Sequence, residues 1–358
     1  MTDYAYSNAR IRAMEGRLLG RSQYESLLDQ VSFEGLIEVL KRLPYARALE
    51  HALTGYDPAQ LTGTIVRIDE ALRRDLAQNL GVLRRFFADR SRALIDTLFL
   101  RWDVYNLKTV LRGKRAAAPI EDIVSATFPV GILDDLAVAE LARVPTLPAV
   151  AHLLETWRLP LARPVRTGLD RPGETDRLDL LETELDRFAV VHASRWIADG
   201  DDNDRTVLGY LRFLVDKTNL LTAFRYLAER RALSPIEAGR QFLKARGRFS
   251  QSDYEAVVGA RDLREGLARL AVTPYAWLAD AFAGRDTIAL PLVERQLDRA
   301  AIRKTVGLSR PDPLGIGPAI SYIERKTNEV RNLRMILRGK AVGMQNDHIE
   351  EWLILWPL

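Results

Sequence analysis

Residues 103–112 read DVYNLKTVLR, residues 216–225 read DKTNLLTAFR, and residues 329–338 read EVRNLRMILR. All three follow one pattern: an acid, two variable residues, Asn-Leu, three variable residues, an apolar residue and Arg. Asn106, Asn219 and Asn332 are separated by 113 residues at each step. Five matched positions at two identical offsets mark an internal homology, and a period this long points to repeated small domains.

The flanks repeat as well. About 34 residues before each Asn stand Leu72-Arg73-Arg74, Leu185-Asp186-Arg187 and Leu297-Asp298-Arg299. Downstream, Pro119-Ile120-Glu121 resembles Pro235-Ile236-Glu237, and Ile236-Glu237 recurs as Ile349-Glu350. Each unit opens with short helical patterns: Phe33, Leu36, Ile37 and Leu40 in the first, Leu147, Val150 and Leu154 in the second, Leu263, Leu267 and Leu270 in the third. Spacings of three and four place these residues on one helix face. A long helix follows, as in Ile65, Ile68, Leu72, Leu76 and Leu83, and the repeated segment sits on a second long helix. Period-two alternation is missing, so strands are expected to be nearly absent. The expected fold is all-α, with three similar helical domains at 1–117, 118–232 and 233–358. Helix breakers mark the boundaries at Gly113 to Pro119 and Leu233 to Pro235. Arg158 to Glu174, with Pro160, Pro164 and Pro172, reads as a long irregular loop. Asp199 to Asp204 reads as an acidic turn, with Asp204 capping the helix from Thr206 onward.

Of the 358 residues, 47% are hydrophobic and 28% charged, a balance that supports a buried core. The absence of cysteine excludes disulfides, thiolate metal sites and a Cys nucleophile. The opening MTDYAYSNARIRAMEGRLLG lacks the apolar core of a signal peptide, and no stretch approaches the roughly 18 apolar residues of a membrane span. The expected location is therefore cytoplasmic, with membrane association only through a partner. Fifty-two basic residues face 48 acidic ones and interleave along the chain, which reads as solvated helix faces and not as a nucleic-acid stripe.

Motifs for chemistry are missing. Gly113-Lys114 and Gly339-Lys340 lack the upstream glycine and the following Ser/Thr of a P-loop. Gly315-Ile316-Gly317 lacks the third glycine of a dinucleotide fingerprint, so DPLGIGP reads as a turn into the third repeated helix. Asp199, Asp201 and Asn203 have calcium-loop spacing, but Asp204 and Tyr210 stand where glycine and glutamate are required. His51, His152, His192 and His348 are scattered without a ligand cluster. No catalytic residue, cofactor or metal is expected.

The repeated segment itself remains. On a helix, Asp103, Asn106, Leu107, Val110 and Leu111 share a face, as do Asp216, Asn219, Leu220, Ala223 and Phe224, and Glu329, Asn332, Leu333, Ile336 and Leu337. Buried acids and amides need partners, since an unsatisfied group costs on the order of 1–3 kcal/mol. One reading is that each acid and Asn bonds a neighbouring helix of its own unit and fixes register. The other is that the three helices surround a pseudo-threefold axis and present Arg112, Arg225 and Arg338 to a partner, although the helix dipole would also favour arginines at helix C-terminal ends.

Several segments resemble a known family: YAYSNARIRAMEGRLL at 4–19, RWDVYNLKTVLRGK at 101–114, DKTNLLTAFR, FLKARGRFS at 242–250 and DPLGIGPAISYIERKTNEVRNLRMILRGK at 312–340. They are similar to the C subunit of V/A-type rotary ATPases, called d in the eukaryotic enzyme. The resemblance spans essentially the whole chain and is weakest between about 120 and 180. It implies a funnel-like helical socket, pseudo-threefold in arrangement, on the cytoplasmic face of the membrane rotor ring. Such a socket receives the central-shaft subunits and carries torque between the ATP-hydrolysing head and the ion-translocating ring without doing chemistry. The isolated protein is expected to be a monomer without a nucleic-acid partner. The alternative is a helical-repeat binding module for a protein or nucleic acid, whose repeats normally run to roughly 20–50 residues.

Overall fold

The computed structural model describes residues 4–54, 61–170, 178–197, 200–229, 234–245, 247–309 and 312–355. Among them there is no strand, and the regular elements are α-helices apart from a 3-10 turn at Leu270–Val272, in keeping with the expected all-α class. Four short helices open it: α1 (Ala5–Glu15), α2 (Arg21–Leu28), α3 (Phe33–Leu40) and α4 (Ala46–Leu53). Two long ones follow, α5 (Leu61–Arg85) and α6 (Asp89–Arg115). The alternation repeats with the short α7 (Ile120–Ser125), α8 (Asp135–Arg143), α9 (Leu147–Thr156) and α10 (Ala162–Leu169), then the long α11 (Leu178–Trp196) and α12 (Asp202–Glu229). It repeats again with α13 (Pro235–Gly239), α14 (Gln251–Val258), α15 (Leu263–Arg269) and α16 (Ala276–Asp280), then α17 (Leu290–Ser309) and α18 (Gly317–Ala341), and ends on the short α19 (Asn346–Trp352).

The chain divides into two compact units, one of Met1–Ile95 with Ile302–Leu358, the other of Asp96–Ala301; the boundaries fall within α6 and α17. The second unit holds two hydrophobic clusters of the same design. In one, Leu107, Val110 and Leu111 of α6 meet Val138 and Leu141 of α8, Val150 and Leu154 of α9, and Leu185 of α11. In the other, Leu220, Ala223 and Phe224 of α12 meet Tyr254 and Val257 of α14, Leu267 of α15, and Leu297 of α17. In the first unit, α18 packs on α1, α3, α5 and α19, burying Leu333, Ile336 and Leu337. Each repeated helix thus closes a cell with the short helices that follow it and the next long helix. The third cell takes α19 from the end of the chain and α1–α5 from its start.

Local capping explains why the short helices begin where they do. Ser32, Thr146 and Asp262 accept the N3 amides of α3, α9 and α15, and Asp134 and Ser250 do so for α8 and α14.

Three expectations need correction. Residues 162–169 of the supposed loop form α10, because Pro164 lies in the first turn, where its missing N–H breaks no helical bond; Pro172 lies outside the described residues. The cap of α12 is Asp201, whose carboxylate accepts the amides of Asn203 and Asp204, while buried Asp204 accepts back from the Asp201 amide at 2.8 Å. Asp199 lies outside the described residues. Finally, Ile236 and Ile349 are not equivalent, since Ile349 is buried and Ile236 is 74% exposed. The counterpart of Ile349 is Ile123: each packs on a helical glycine, Gly339 and Gly113, so closely that a Cβ there would meet it at 2.8 and 2.4 Å.

The ends of α6 and α18 are built alike. The amides of Ala118 and Met344 donate back to the carbonyls of Gly113 and Gly339, leaving Ala117 at φ 50° and Gly343 at φ 68°. Alanine is strained in this left-handed conformation and glycine is not. Ala117→Gly is expected to stabilise the protein by about 0.5–1 kcal/mol and Gly343→Ala to destabilise it by a similar amount, read as opposite shifts in thermal unfolding.

Candidate functional site

The nine repeated positions form three copies of one device. On α6, Asp103 is 1% exposed, and its carboxylate accepts the backbone N–H of Ile132 at 3.2 Å and of Leu133 at 2.9 Å, just ahead of the α8 cap. Three residues along, the Asn106 side chain donates to the Phe128 carbonyl at 2.8 Å and accepts the Phe128 amide at 2.5 Å. On α12, Asp216 accepts from Arg248 N at 2.7 Å and Phe249 N at 3.0 Å, and Asn219 brackets Leu243 in the same way at 3.2 and 2.8 Å. On α18, Glu329 accepts from Leu19 N, and Asn332 brackets Ile354 at 2.9 and 3.2 Å. Spacing of i and i+3 puts both groups on one face, over one stretch of chain in the first two copies and over Leu19 and Ile354 in the third, where they satisfy backbone groups that burial has cut off from water. Their partners are loop backbone, whereas the register reading expects a neighbouring helix.

Two further elements of this device have a sequence mark. Gly131 and Gly247 directly precede the donating amides, and a Cβ there would lie 2.1 and 1.9 Å from the Asp103 and Asp216 carboxylates. The second element is a buried phenol. Tyr275 donates to Asp216 at 2.6 Å and Tyr45 to Glu329 at 2.6 Å, from matching Pro-Tyr-Ala triplets at 274–276 and 44–46. The first copy has Pro160-Leu161-Ala162, so Asp103 has no phenol. Loops of unequal length put these triplets off the 113-residue register, which hides them from a search at fixed offset. Burial, followed by the adjoining carboxylate, raises both phenols well above the ordinary tyrosine range, so each stays a donor.

The arginines clasp long helices together. Arg112 makes a two-pronged contact with Glu182 of α11, and Arg225 reaches Glu294 of α17 at 2.6 Å. Arg338 reaches Asp69 of α5, which also takes Arg334 at 3.1 and 3.2 Å. Their side chains stay 61, 53 and 58% exposed, so each pair contributes little to stability, about 0–1 kcal/mol. Helix-end placement holds for Arg112 and Arg338 but not for Arg225, which lies before the last turn of α12.

The Arg-Gly-Lys triplets at 112–114 and 338–340 have a structural use in place of phosphate binding. Lys114 donates to the carbonyls of Ala142 (2.8 Å) and Val144, which end α8, and Lys340 to those of Leu28 and Gln30, which end α2, as well as to the Asn346 side chain. In the second copy Leu227 replaces the lysine and packs against Gly266, whose Cβ would lie 2.7 Å from it.

Of the histidines, His152, His192 and His348 are exposed, His192 stacking on Phe188; the side chain of His51 lies outside the described residues. Among the described residues no group of three His, Cys, Asp or Glu is placed to hold a metal, and no helix is long and apolar enough to cross a membrane. The segment DPLGIGP is a turn into α18, held by Asn8, which donates to the carbonyls of Pro313 and Gly315.

Comparison with known proteins gives one answer. The family described as ATP synthase (C/AC39) subunit matches residues 7–352. The C subunit of the A-type ATP synthase of Methanosarcina mazei is 27% identical over 368 residues, covering 99% of this chain and 93% of its own length. Its counterpart from Thermococcus onnurineus is 28% identical, covering 98% of this chain and 90% of its own. The one from Methanocaldococcus jannaschii is 25% identical, covering 99% and 87%.

Asn219→Ala strands both backbone groups of Leu243 and is expected to cost about 2–4 kcal/mol in denaturant unfolding, while Arg225→Ala costs under about 1 kcal/mol. Because the folded Tyr275 phenol titrates above its unfolded value of about 10, its contribution is complete below that pH and is lost above it. Tyr275→Phe is therefore expected to reduce stability at neutral pH but to flatten its fall above about pH 10, measured by melting temperature against pH.

Proposed function

The chain belongs to the ATP synthase (C/AC39) subunit family, and from that membership we propose that it is a non-catalytic central-stalk subunit of a rotary V/A-type ATPase. In this reading it is a socket between the rotating shaft and the membrane rotor ring, and it transmits torque between ATP turnover and transport of protons or sodium ions. The three repeat units, taken as domains at 1–117, 118–232 and 233–358, would stand in a funnel-like pseudo-threefold arrangement that suits a symmetric ring. The protein would be cytoplasmic, peripheral to the membrane through the ring, and monomeric when isolated.

One observation carries the reading beyond family membership: the polar chemistry of the repeated helices is spent on holding the chain's own backbone. Asp103 and Asp216 are each committed to two amides, Glu329 to one amide, a phenol and a lysine, and each Asn brackets one residue from both sides, which leaves nothing over for a substrate. They instead fix the short helices against helices of 25 to 28 residues, which are stiff members about 40 Å long. Stiffness is what a torque-bearing part needs. Arg112, Arg225 and Arg338, more than half exposed, are the repeated residues free to add a partner contact to their clasp. The helical-repeat binding module finds less support, because α1–α5 close onto α18 from the far end of the chain, whereas solenoid repeats contact only their sequence neighbours.

The reading is tested by co-expression with the stalk and ring subunits of the same complex. The purified chain is expected to be monomeric, to show no ATPase activity, and to co-purify with the shaft or the ring. A reconstituted complex lacking it is expected to hydrolyse ATP without moving ions, and one that pumps at the full rate would refute the coupling role.

A further inference from the structure

The first unit contains an open cavity of about 1020 Å3 between α1, α4 and α5, joined to a smaller one of about 420 Å3 that shares Met14, Arg17, Pro44, Asp75 and Asn79 with it. Its walls carry five arginines. Arg10 lies on α1 and Arg17 in the turn that follows it, Arg67 and Arg74 lie at i and i+7 on α5, and Arg47 lies on α4. Two of the five are occupied within the protein: Arg74 pairs with Glu70, and Arg67 donates to the Ala52 carbonyl at 3.2 Å and to Thr64. Arg10 lies over the Phe86 ring, 5.2 Å from its centre. Among the described residues neither Arg17 nor Arg47 is ion-paired, and Glu50 is the one lining acid not already matched by a cation. The cavity therefore has an excess of positive charge over an apolar bed of Ala13, Met14, Ala71 and Val82.

Under this cavity lies a buried charge that the fold does not require. Lys326, 6% exposed, donates to the Tyr45 hydroxyl at 2.8 Å and to Glu329 at 3.1 Å, and lies 3.2 Å from Asp75 Oδ2. That last contact is an ion pair without hydrogen-bond alignment, so Oδ2 has no hydrogen-bond partner. The internal repeat provides the comparison: at steps of 113 residues Lys326 corresponds to Leu100, buried in one core, and to Phe213, which packs half-buried against the other. Counting from Leu72, Leu185 and Leu297, Asp75 corresponds to Phe188 and Ala300. Two copies of the same cell thus fold with apolar residues at both places. Buried ion pairs are often no more stabilising than such residues, so the pair in the third copy points to a role at the cavity.

We propose that this cavity is a docking groove for an acidic amphipathic helix of another subunit, its apolar face on the alanine and methionine bed and its carboxylates on Arg10, Arg17 and Arg47. Glutamates at i and i+7 of such a helix lie on one face about 10.5 Å apart along its axis, which makes it a simple probe with two carboxylates on the side that meets the arginines. The proposal rests on the reading of the chain as a stalk subunit that works by holding partners. Charge complementarity of this kind speeds association and makes it salt-dependent.

The test uses the full chain and a labelled helical peptide with glutamates at i and i+7 above an alanine and leucine face. Binding is expected at about 50 mM salt, at least roughly tenfold weaker at about 300 mM, at least roughly tenfold weaker to the Arg17→Ser/Arg47→Ser variant, and lost when the glutamates become glutamines. Among the described residues neither arginine has an ion pair, so this variant is expected to melt with the wild type. Equal binding by the variant, or tight binding of tripolyphosphate without any of the peptide, would overturn the proposal, the latter by assigning the groove to a small anion. Lys326→Leu/Asp75→Ala is expected to fold, as the other two copies do; unfolding would remove the argument from the repeat. In the co-expressed complex the two readings separate: failure of the wild-type chain to assemble counts against the stalk role, whereas equal assembly of wild type and Arg17→Ser/Arg47→Ser counts against the groove alone.

Discussion

A buried carboxylate and a buried amide, three residues apart on one helix face, hold the backbone of the segment that docks on them. Everything else in each cell is arranged around that grip. The short helices start at caps beside the gripped amides, and the hydrophobic stripe one residue further along, Leu107, Leu220 or Leu333, is buried by the same docking. Apolar burial supplies most of the driving force but does not choose a register, since leucines slide past one another at small cost. Hydrogen bonds to particular N–H and C=O groups do choose one, because a shift by one residue leaves several polar groups buried and unmatched.

The three copies show which parts of the device are fixed and which are exchangeable. The Asn and the acid are constant, though Glu329 replaces aspartate in the copy where the glycine before the amides is missing: the position of Gly131 and Gly247 is taken by Arg17. A longer side chain reaches across a wider gap, so the two changes compensate. The phenol is present in two copies, and the Arg-Gly-Lys end in a different pair. Where lysine is lost, Leu227 and Gly266 replace a polar plug with an apolar one. Each substitution keeps the helix end satisfied or the gap filled, which is why the cell survives divergence of its surface.

Much of this was written in the sequence at fixed offset. The helical class, the short helices at Phe33, Leu147 and Leu263 and the nine repeated positions are legible from periodicity and spacing. What periodicity cannot show is the partner of a polar group when that partner is backbone, since a peptide N–H has no letter of its own. The grip of Asp103 on Ile132 and Leu133 is visible in the sequence only through Gly131, and a single glycine is an ambiguous mark. The loop reading fails at 162–169 for a related reason: proline counts as a breaker everywhere except in the first turn, and where a first turn lies is itself unknown beforehand. Nor could spacing show that each repeated helix joins the segment after it instead of the one before.

The bond from the Leu19 amide to Glu329 spans 310 positions in the chain. On the ribosome, where synthesis runs at roughly 5–20 residues per second, α1 to α5 must wait on the order of 15–60 s for α18 to be made. The surface they bury against α18 stays unclaimed for that interval, although α4 and α5 can already pack on each other. Nascent chains of this protein thus carry that α18-binding surface open longest on the helices made before it.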